Sequence, residues 1–321
     1  MVTTRTGCRM SRETRPGTAP SVQAPAPAPL ALVFTDLDGT LLDDNYRFEA
    51  ARPALARLRA LRVPLVLCSS KTLSEMRLLR SALDLDEPLI FENGAGIAVP
   101  EGRFPAADAP APAANPAGAN SPHGPGAPLQ VETFGPGYAE LRRILVTLRE
   151  RHGFPFRGFG DMTSAEVADR TGLDQLAAAR ARQRIGSEPG IWSGSEAVRQ
   201  DFVRELQAEG LRAVHGGRFL HIMPQVDKAG AVAALVTRFR ALWPDAELPL
   251  IAAGDSPNDA AMLLAADHAL VIRRGDGSWM PLKRSSGVLR SATPGAAGWN
   301  DCMHRVLDLI DDRVPGPGAA E

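Results

Sequence analysis

Three short runs and one lysine carry most of the side chains that could act together chemically. In Asp36-Leu37-Asp38-Gly39-Thr40, two carboxylates stand two residues apart before a glycine that lets the backbone turn. Such a pair can serve one hard metal ion and one reacting centre. Alone, an acidic loop of this kind more often just caps a helix. In Ser69-Ser70-Lys71-Thr72, hydroxyls and amides gather at a predicted helix start, an arrangement suited to an anion and equally to ordinary capping. Gly254-Asp255-Ser256-Pro257-Asn258-Asp259 is a second acidic run, and Lys228 opens the predicted helix ahead of it. Each piece is modest by itself. Their order is what matters, because ligands of open α/β sheets sit beyond the carboxyl ends of the strands.

The elements that must position these residues read as alternating strands and helices. Residues 30–35 and 64–68 are continuous apolar runs of strand length, of the kind buried on both faces in a parallel sheet; residues 89–91 form a shorter one. Leu55, Leu58 and Leu61 share one helical face, and residues 72–83 predict a second helix. Later come helices over 229–242, 259–266 and 300–310, with strands over 250–253 and 269–272. The alternation predicts an α/β fold with a Rossmann-like parallel sheet. The middle of the chain has a different texture. The expected division is a core of residues 30–96 and 220–312, with an inserted α+β cap over 97–219.

Composition narrows the function. A chain of 321 residues exceeds what one core holds, which is roughly 250–300 residues. With 36 basic and 37 acidic residues it is not built to coat nucleic acid or an anionic membrane. Cys8, Cys68 and Cys302 are odd in number and far apart, which gives neither a disulfide framework nor a zinc site and points to a reducing, cytoplasmic setting. No run approaches the roughly 18 apolar residues of a membrane span. Residues 1–29 carry Arg5, Arg9, Arg12 and Arg15 against one acid, Glu13, and are expected to be a disordered tail rather than a transit peptide. In residues 105–128, 19 of 24 residues are Pro, Ala or Gly, which predicts a disordered surface insertion; residues 313–321 predict a second tail.

The four elements, in their order, resemble the motifs of the haloacid dehalogenase-like phosphohydrolases: Asp36-Leu-Asp-Gly-Thr40, Ser69, Lys228 and Gly254-Asp-Ser-Pro-Asn-Asp259. The resemblance implies Asp36 as nucleophile, Asp38 as general acid and base, and Ser69 and Lys228 as phosphate ligands. It also implies Mg²⁺ held by Asp36, the Asp38 backbone carbonyl and Asp255, with Asp259 supporting the metal shell, orienting Lys228 or merely capping its helix. Only 33 residues separate Asp36 from Ser69, whereas 159 separate Ser69 from Lys228, so any cap lies in the second interval. Phe91-Glu-Asn-Gly-Ala95 resembles the entry to the α+β cap found in sugar-phosphate phosphatases. Further stretches resemble the mannosyl-3-phosphoglycerate phosphatase family: Val66-Leu-Cys-Ser-Ser-Lys-Thr72, Gly158-Phe-Gly-Asp-Met162, Arg170-Thr-Gly-Leu173, Ser187-Glu-Pro189 and Gly216-Gly-Arg-Phe-Leu-His221. Outside that pattern stand the N-terminal tail and the 105–128 insertion.

The expected activity is therefore Mg²⁺-dependent hydrolysis of mannosyl-3-phosphoglycerate or a close glycosyl-3-phosphoglycerate, by a monomer or homodimer with no nucleic acid or membrane partner. The alternatives are a sucrose- or trehalose-phosphate type phosphatase, a phosphohexomutase, and a catalytically silent sugar-phosphate sensor. Arg184, Arg218 and His221 are candidates for the substrate's carboxylate and hydroxyls, against ordinary surface roles. Asn93 stands beside the Gly94 turn and serves either substrate or turn. Asp161, Thr163 and Glu166 offer sugar ligands, or caps for a helix over 164–168. Cys68 reads as a packed thiol.

Overall fold

The computed structural model describes residues 27–105, 127–216 and 218–311; the tails and the Pro-rich insertion, but for their margins, lie outside these residues. The chain opens with β1 (Leu32–Thr35), α1 (Arg52–Ala60), β2 (Leu65–Cys68), α2 (Leu73–Ala82), β3 (Leu89–Phe91), β4 (Gly96–Pro100) and β5 (Leu129–Thr133). Its middle holds α3 (Tyr138–His152), β6 (Phe156–Gly158), α4 (Ser164–Thr171), α5 (Gln175–Ala181), β7 (Glu188–Trp192), α6 (Glu196–Ala208), β8 (Leu211–Gly216) and β9 (Phe219–Pro224). It returns through α7 (Lys228–Leu242), β10 (Leu250–Gly254), α8 (Ala260–Ala265), β11 (His268–Arg273), β12 (Val288–Pro294) and α9 (Gly295–Asp311).

The larger sheet has the order β12-β11-β10-β1-β2-β3-β4-β5 and is parallel from β12 to β3. Its centre is β1, all of whose residues are buried. The period-two alternation of a strand explains how. Val33 packs with Leu58, Met76, Trp299 and Leu307 from α1, α2 and α9. Leu32 and Phe34 pack on the other face with Val232, Leu235, Phe239 and Met262 from α7 and α8. Trp299 is fully buried, and its Nε1 donates to Thr35 Oγ1 at 3.0 Å, so the indole N–H keeps a partner in the core.

Two features depart from the sequence reading. β12 was not predicted, because as a sheet edge it has mostly exposed residues, with only Ser291 buried, and shows no apolar run of strand length. β4 and β5 add antiparallel to β3, so the boundary expected at residue 97 falls inside the larger sheet. The turn into β4 is made by Glu92, Asn93 and Gly94, all with positive φ. At Gly94 a Cβ would stand 2.3 Å from the Asp227 carbonyl, so only glycine allows this turn to pack against the start of α7.

The smaller sheet, β6-β7-β9-β8, is wholly antiparallel. One face packs Phe156, Leu211, Leu220 and Ile222 against Leu141, Leu145, Phe202 and Leu206 of α3 and α6. The other packs Ile191 and Phe219 against Val167 and Ala178 of α4 and α5. α5 reaches the larger sheet's helices, where Thr72 Oγ1 donates to the Arg180 carbonyl at 3.1 Å.

Candidate active site

Parallel register brings the chemical residues to one level. Thr35 pairs with Ala253 of β10 and Leu67 of β2, and Cys68 pairs with Ile90 of β3. The next residue on each strand therefore emerges at the same rim. Asp36 N donates to the Ala253 carbonyl at 2.9 Å, Ser69 N to Ile90 at 3.0 Å, and Asn93 N to Ser69 at 2.8 Å.

At the centre of this rim stands a buried charge cluster. Lys228 begins α7 behind its N-cap Asp227, whose Oδ1 accepts from Gly230 N at 3.0 Å. The Lys228 side chain is 1% exposed, and its Nζ lies 2.5 Å from Asp36 Oδ1 and 2.6 Å from Asp259 Oδ1. Asp259 does double duty: its Oδ2 accepts from Asp255 N at 3.2 Å and Ser256 N at 3.0 Å, fixing the acidic loop. Burial, followed by the charge of Asp259, pushes the Asp36 carboxyl well above the usual carboxylate range, and Lys228 only partly opposes this. Burial would depress Lys228, but Asp259 and Asp36 outweigh it and raise the ammonium above its ordinary value. Asp255 is pushed up to about 6, by burial first and by Asp259 second.

Carboxylate oxygens of Asp36, Asp255 and Asp259 lie within 4.8 Å of one another. These are hard donors carrying more negative charge than one lysine offsets, a set that fits a divalent cation bound through oxygen. Gly39, at φ +75°, leaves the room that this requires: a Cβ there would stand 3.0 Å from Asp255 Oδ2.

Asp38 stands apart and more open. Its side chain is 42% exposed, and its Oδ1 lies 2.9 Å from Lys71 Nζ. The same ammonium lies 4.7 Å above the Tyr46 ring. Ser69 is buried, and its Oγ accepts from Lys71 N at 3.1 Å. Asn93 is held in the left-handed region at φ 58°, and its Oδ1 accepts from Asn258 Nδ2 at 2.9 Å, tying two rim loops together. Of the expected cap residues, Arg184 reaches the rim. Its Nη2 donates to the Ser70 carbonyl at 3.2 Å and to Ser187 Oγ at 2.7 Å. Fully buried Glu92 completes this strut by accepting from Ile185 N at 2.8 Å, Gly186 N at 3.1 Å and Ser187 Oγ at 2.8 Å.

Arg218 and His221 are not brought into the cluster. Arg218 sits at the β8–β9 hairpin, with its Nη2 on the Thr171 carbonyl at 2.9 Å and its guanidinium 6.0 Å from the Phe219 ring. The chain returns to the core at the opposite end of β9, about 20 Å away at the usual rise of a strand. His221 lies mid-strand between Val214 and Pro189. Asp161 is engaged by Arg142 and Arg149: burial would raise it, but those guanidiniums hold it at about 2. Thr163 and Glu166 form the capping box of α4. Cys68 is a core thiol that burial pushes far up. Sequence reasoning assigned no role to Lys71 or Glu92, although both lie within quoted motifs.

The profile of the haloacid dehalogenase-like hydrolases matches residues 33–108. A phosphatase of the haloalkanoate superfamily from Bacteroides thetaiotaomicron superposes with a TM-score of 0.58 at 15% identity, covering 92% of this chain and 99% of that one. The Synechocystis sucrose-phosphatase, solved with sucrose and phosphate, gives a TM-score of 0.51 at 15% identity, over 88% and 98%. The fold is thus that of the haloacid dehalogenase-like hydrolases. A glucosyl-3-phosphoglycerate/mannosyl-3-phosphoglycerate phosphatase of Methanococcoides burtonii is 35% identical over 280 residues, 87% of this chain and 97% of its own. One of the same description from Persephonella marina is 31% identical over 283 residues, 87% and 98%. The chain belongs to the mannosyl-3-phosphoglycerate phosphatase family.

Proposed function

We propose that the chain hydrolyses the phosphate monoester of mannosyl-3-phosphoglycerate or a close glycosyl-3-phosphoglycerate, releasing the glycosylglycerate. The observation that carries this reading is the Asp36–Lys228–Asp259 cluster beside Asp255, in a chain 35% identical to a relative of that description. Asp36 attacks phosphorus, and the ester oxygen leaves with a proton from Asp38. Water, deprotonated by Asp38, then cleaves the aspartyl-phosphate and returns Asp36 to its free state. The separate, open position of Asp38 supports its acid–base role, since a proton donor must face the leaving group rather than the buried cluster. Lys228 and Ser69 hold the phosphoryl oxygens, and Asp259 holds Lys228 in place.

Asp36, Asp255 and the Asp38 backbone carbonyl would hold Mg²⁺, which when bound supplies positive charge to the phosphoryl oxygens. The small sheet, with α3 to α6, acts as the cap over the rim. The enzyme works in the cytoplasm on a small soluble ester, as a monomer or homodimer. A phosphate-release screen tests this: glycosyl-3-phosphoglycerates, sucrose 6-phosphate, trehalose 6-phosphate and hexose phosphates, each with Mg²⁺ and with chelator. Glycosyl-3-phosphoglycerates should lead, and chelator should abolish turnover. A hexose phosphate that isomerises without releasing phosphate, or turnover indifferent to chelator, would refute it.

A further inference from the structure

We infer that Lys71 is the specificity-determining cation of this site, pairing with a carboxylate that the leaving group carries next to its ester oxygen. The inference rests on the proposed acid role of Asp38 and deepens it. The group that protonates the leaving oxygen must come within about 2.6–3.2 Å of it. Lys71 Nζ is 2.9 Å from Asp38 Oδ1. The two links together place the ammonium about 4–6 Å from the ester oxygen. In a 3-phosphoglyceryl ester the carboxyl carbon lies two bonds beyond the carbon bearing that oxygen, so its oxygens fall about 3–5 Å away. An ammonium at Lys71 can therefore meet the substrate carboxylate without leaving Asp38.

The surroundings favour this cation over its rivals. The Lys71 side chain is 14% exposed and its partner Asp38 42%, whereas Asp36 and Asp259 are 8% and 0% exposed; the rim is open on the Asp38 side. Lys71 is fixed from behind by its own backbone: its N–H donates to Ser69 Oγ and its carbonyl accepts from Glu92 N at 3.0 Å. The Tyr46 ring covers the ammonium at 4.7 Å and lowers its hydration, which strengthens a charged pair formed there. Arg184 has its Nη2 donors engaged by Ser70 and Ser187, and Arg218 faces Thr171 at the far hairpin. A lysine also suits a shared contact, because its compact charge serves two anions on a mobile stem.

The test compares matched substrates that differ only in the carboxylate. Glucosyl-3-phosphoglycerate is set against the glucosylglycerol phosphate in which a hydroxymethyl group replaces it. Wild type should prefer the charged member. In Lys71→Met and the less intrusive Lys71→Gln, kcat/KM should fall at least ten-fold more for the charged member than for the neutral one, and Lys71→Arg should restore part of the preference. Equal losses on both members would leave Lys71 serving Asp38 alone and overturn the inference, as would a wild type that does not distinguish the pair. If wild type releases phosphate from other esters but not from glucosyl-3-phosphoglycerate, the substrate reading fails; the Lys71 inference is then decided by the same ratio on 3-phosphoglycerate and glycerol 3-phosphate. Should both neutral variants fail to fold, wild type still decides it. Competitive inhibition by glucosylglycerate but not by neutral glucosylglycerol supports the inference, and equal inhibition overturns it.

Discussion

Replacing Lys228 by Met removes the one cation from a buried cluster and leaves its volume nearly unchanged. The side chains of Asp259 and Asp36 are 0% and 8% exposed, so both lose a partner held at 2.6 and 2.5 Å. Breaking a buried pair of this kind costs about 3–5 kcal/mol. In a chain of this size, at about 2 °C per kcal/mol, the melting temperature should fall by about 6–10 °C. The deficit should also depend on pH. Without Lys228 the charges acting on the Asp36 carboxyl are those of Asp259, Asp255 and Asp38, all of which raise it further, and Asp255 already stands at about 6. A carboxyl whose folded pKa is raised binds protons on folding, so its neighbourhood loses stability as pH rises from the unfolded value, near 4, through the folded one. The assay is thermal melting of Lys228→Met and wild type in chelator, at pH 5 and pH 8. The deficit should be larger at pH 8. A deficit below about 2 °C, or one equal at both pH values, would refute the claim that Lys228 neutralises this cluster.

Two further perturbations follow from the same geometry. Asp36→Asn should keep the fold while cutting phosphate release by at least about a thousand-fold, as deletion of a covalent nucleophile does; retention of a tenth of the activity would exclude Asp36 from that role. Glu92→Ala strips the acceptor from three donors that join the rim to residues 185–187 and leaves Arg184 short of a counter-charge. It should cost about 2–4 kcal/mol and so lower the melting temperature by several degrees, with faster proteolysis of the 182–187 segment; an unchanged melt would show that these hydrogen bonds contribute no net stability.

The grouping of the rim residues was largely legible in the sequence, and the reason is geometric. Asp36, Ser69 and Asp255 each follow a buried apolar strand, and parallel register converts that one-dimensional pattern into adjacency. Lys228 was legible as a helix start. The middle of the chain was less so. Arg218 lies only ten residues before Lys228 in the chain, but nearness along the chain is not nearness in space: the six-residue strand β9 carries the hairpin end well away from the rim. Lys71 was passed over because its contact is made across two loops, with Asp38 and Tyr46, and no periodicity reports such a meeting. β12 escaped because an exposed edge has no apolar run to read.

The central placement of β1 has a consequence for synthesis on the ribosome. One flank of this strand pairs with β2, which is made within a few seconds of it. The other flank pairs only with β10, and 215 residues separate Thr40 from the rim residue Asp255. At about 5–20 residues per second, the nascent chain holds that flank open for roughly 10–40 s. Over this interval the backbone amides and carbonyls along one side of a strand that ends up wholly buried lie unpaired, and Asp36 beside them has no lysine. A chain interrupted between β5 and β9 thus has an incomplete rim and an adhesive strand edge, which invites chaperone binding. Activity arrives late and all at once, when α7 and β10 close on a strand that was among the first to emerge.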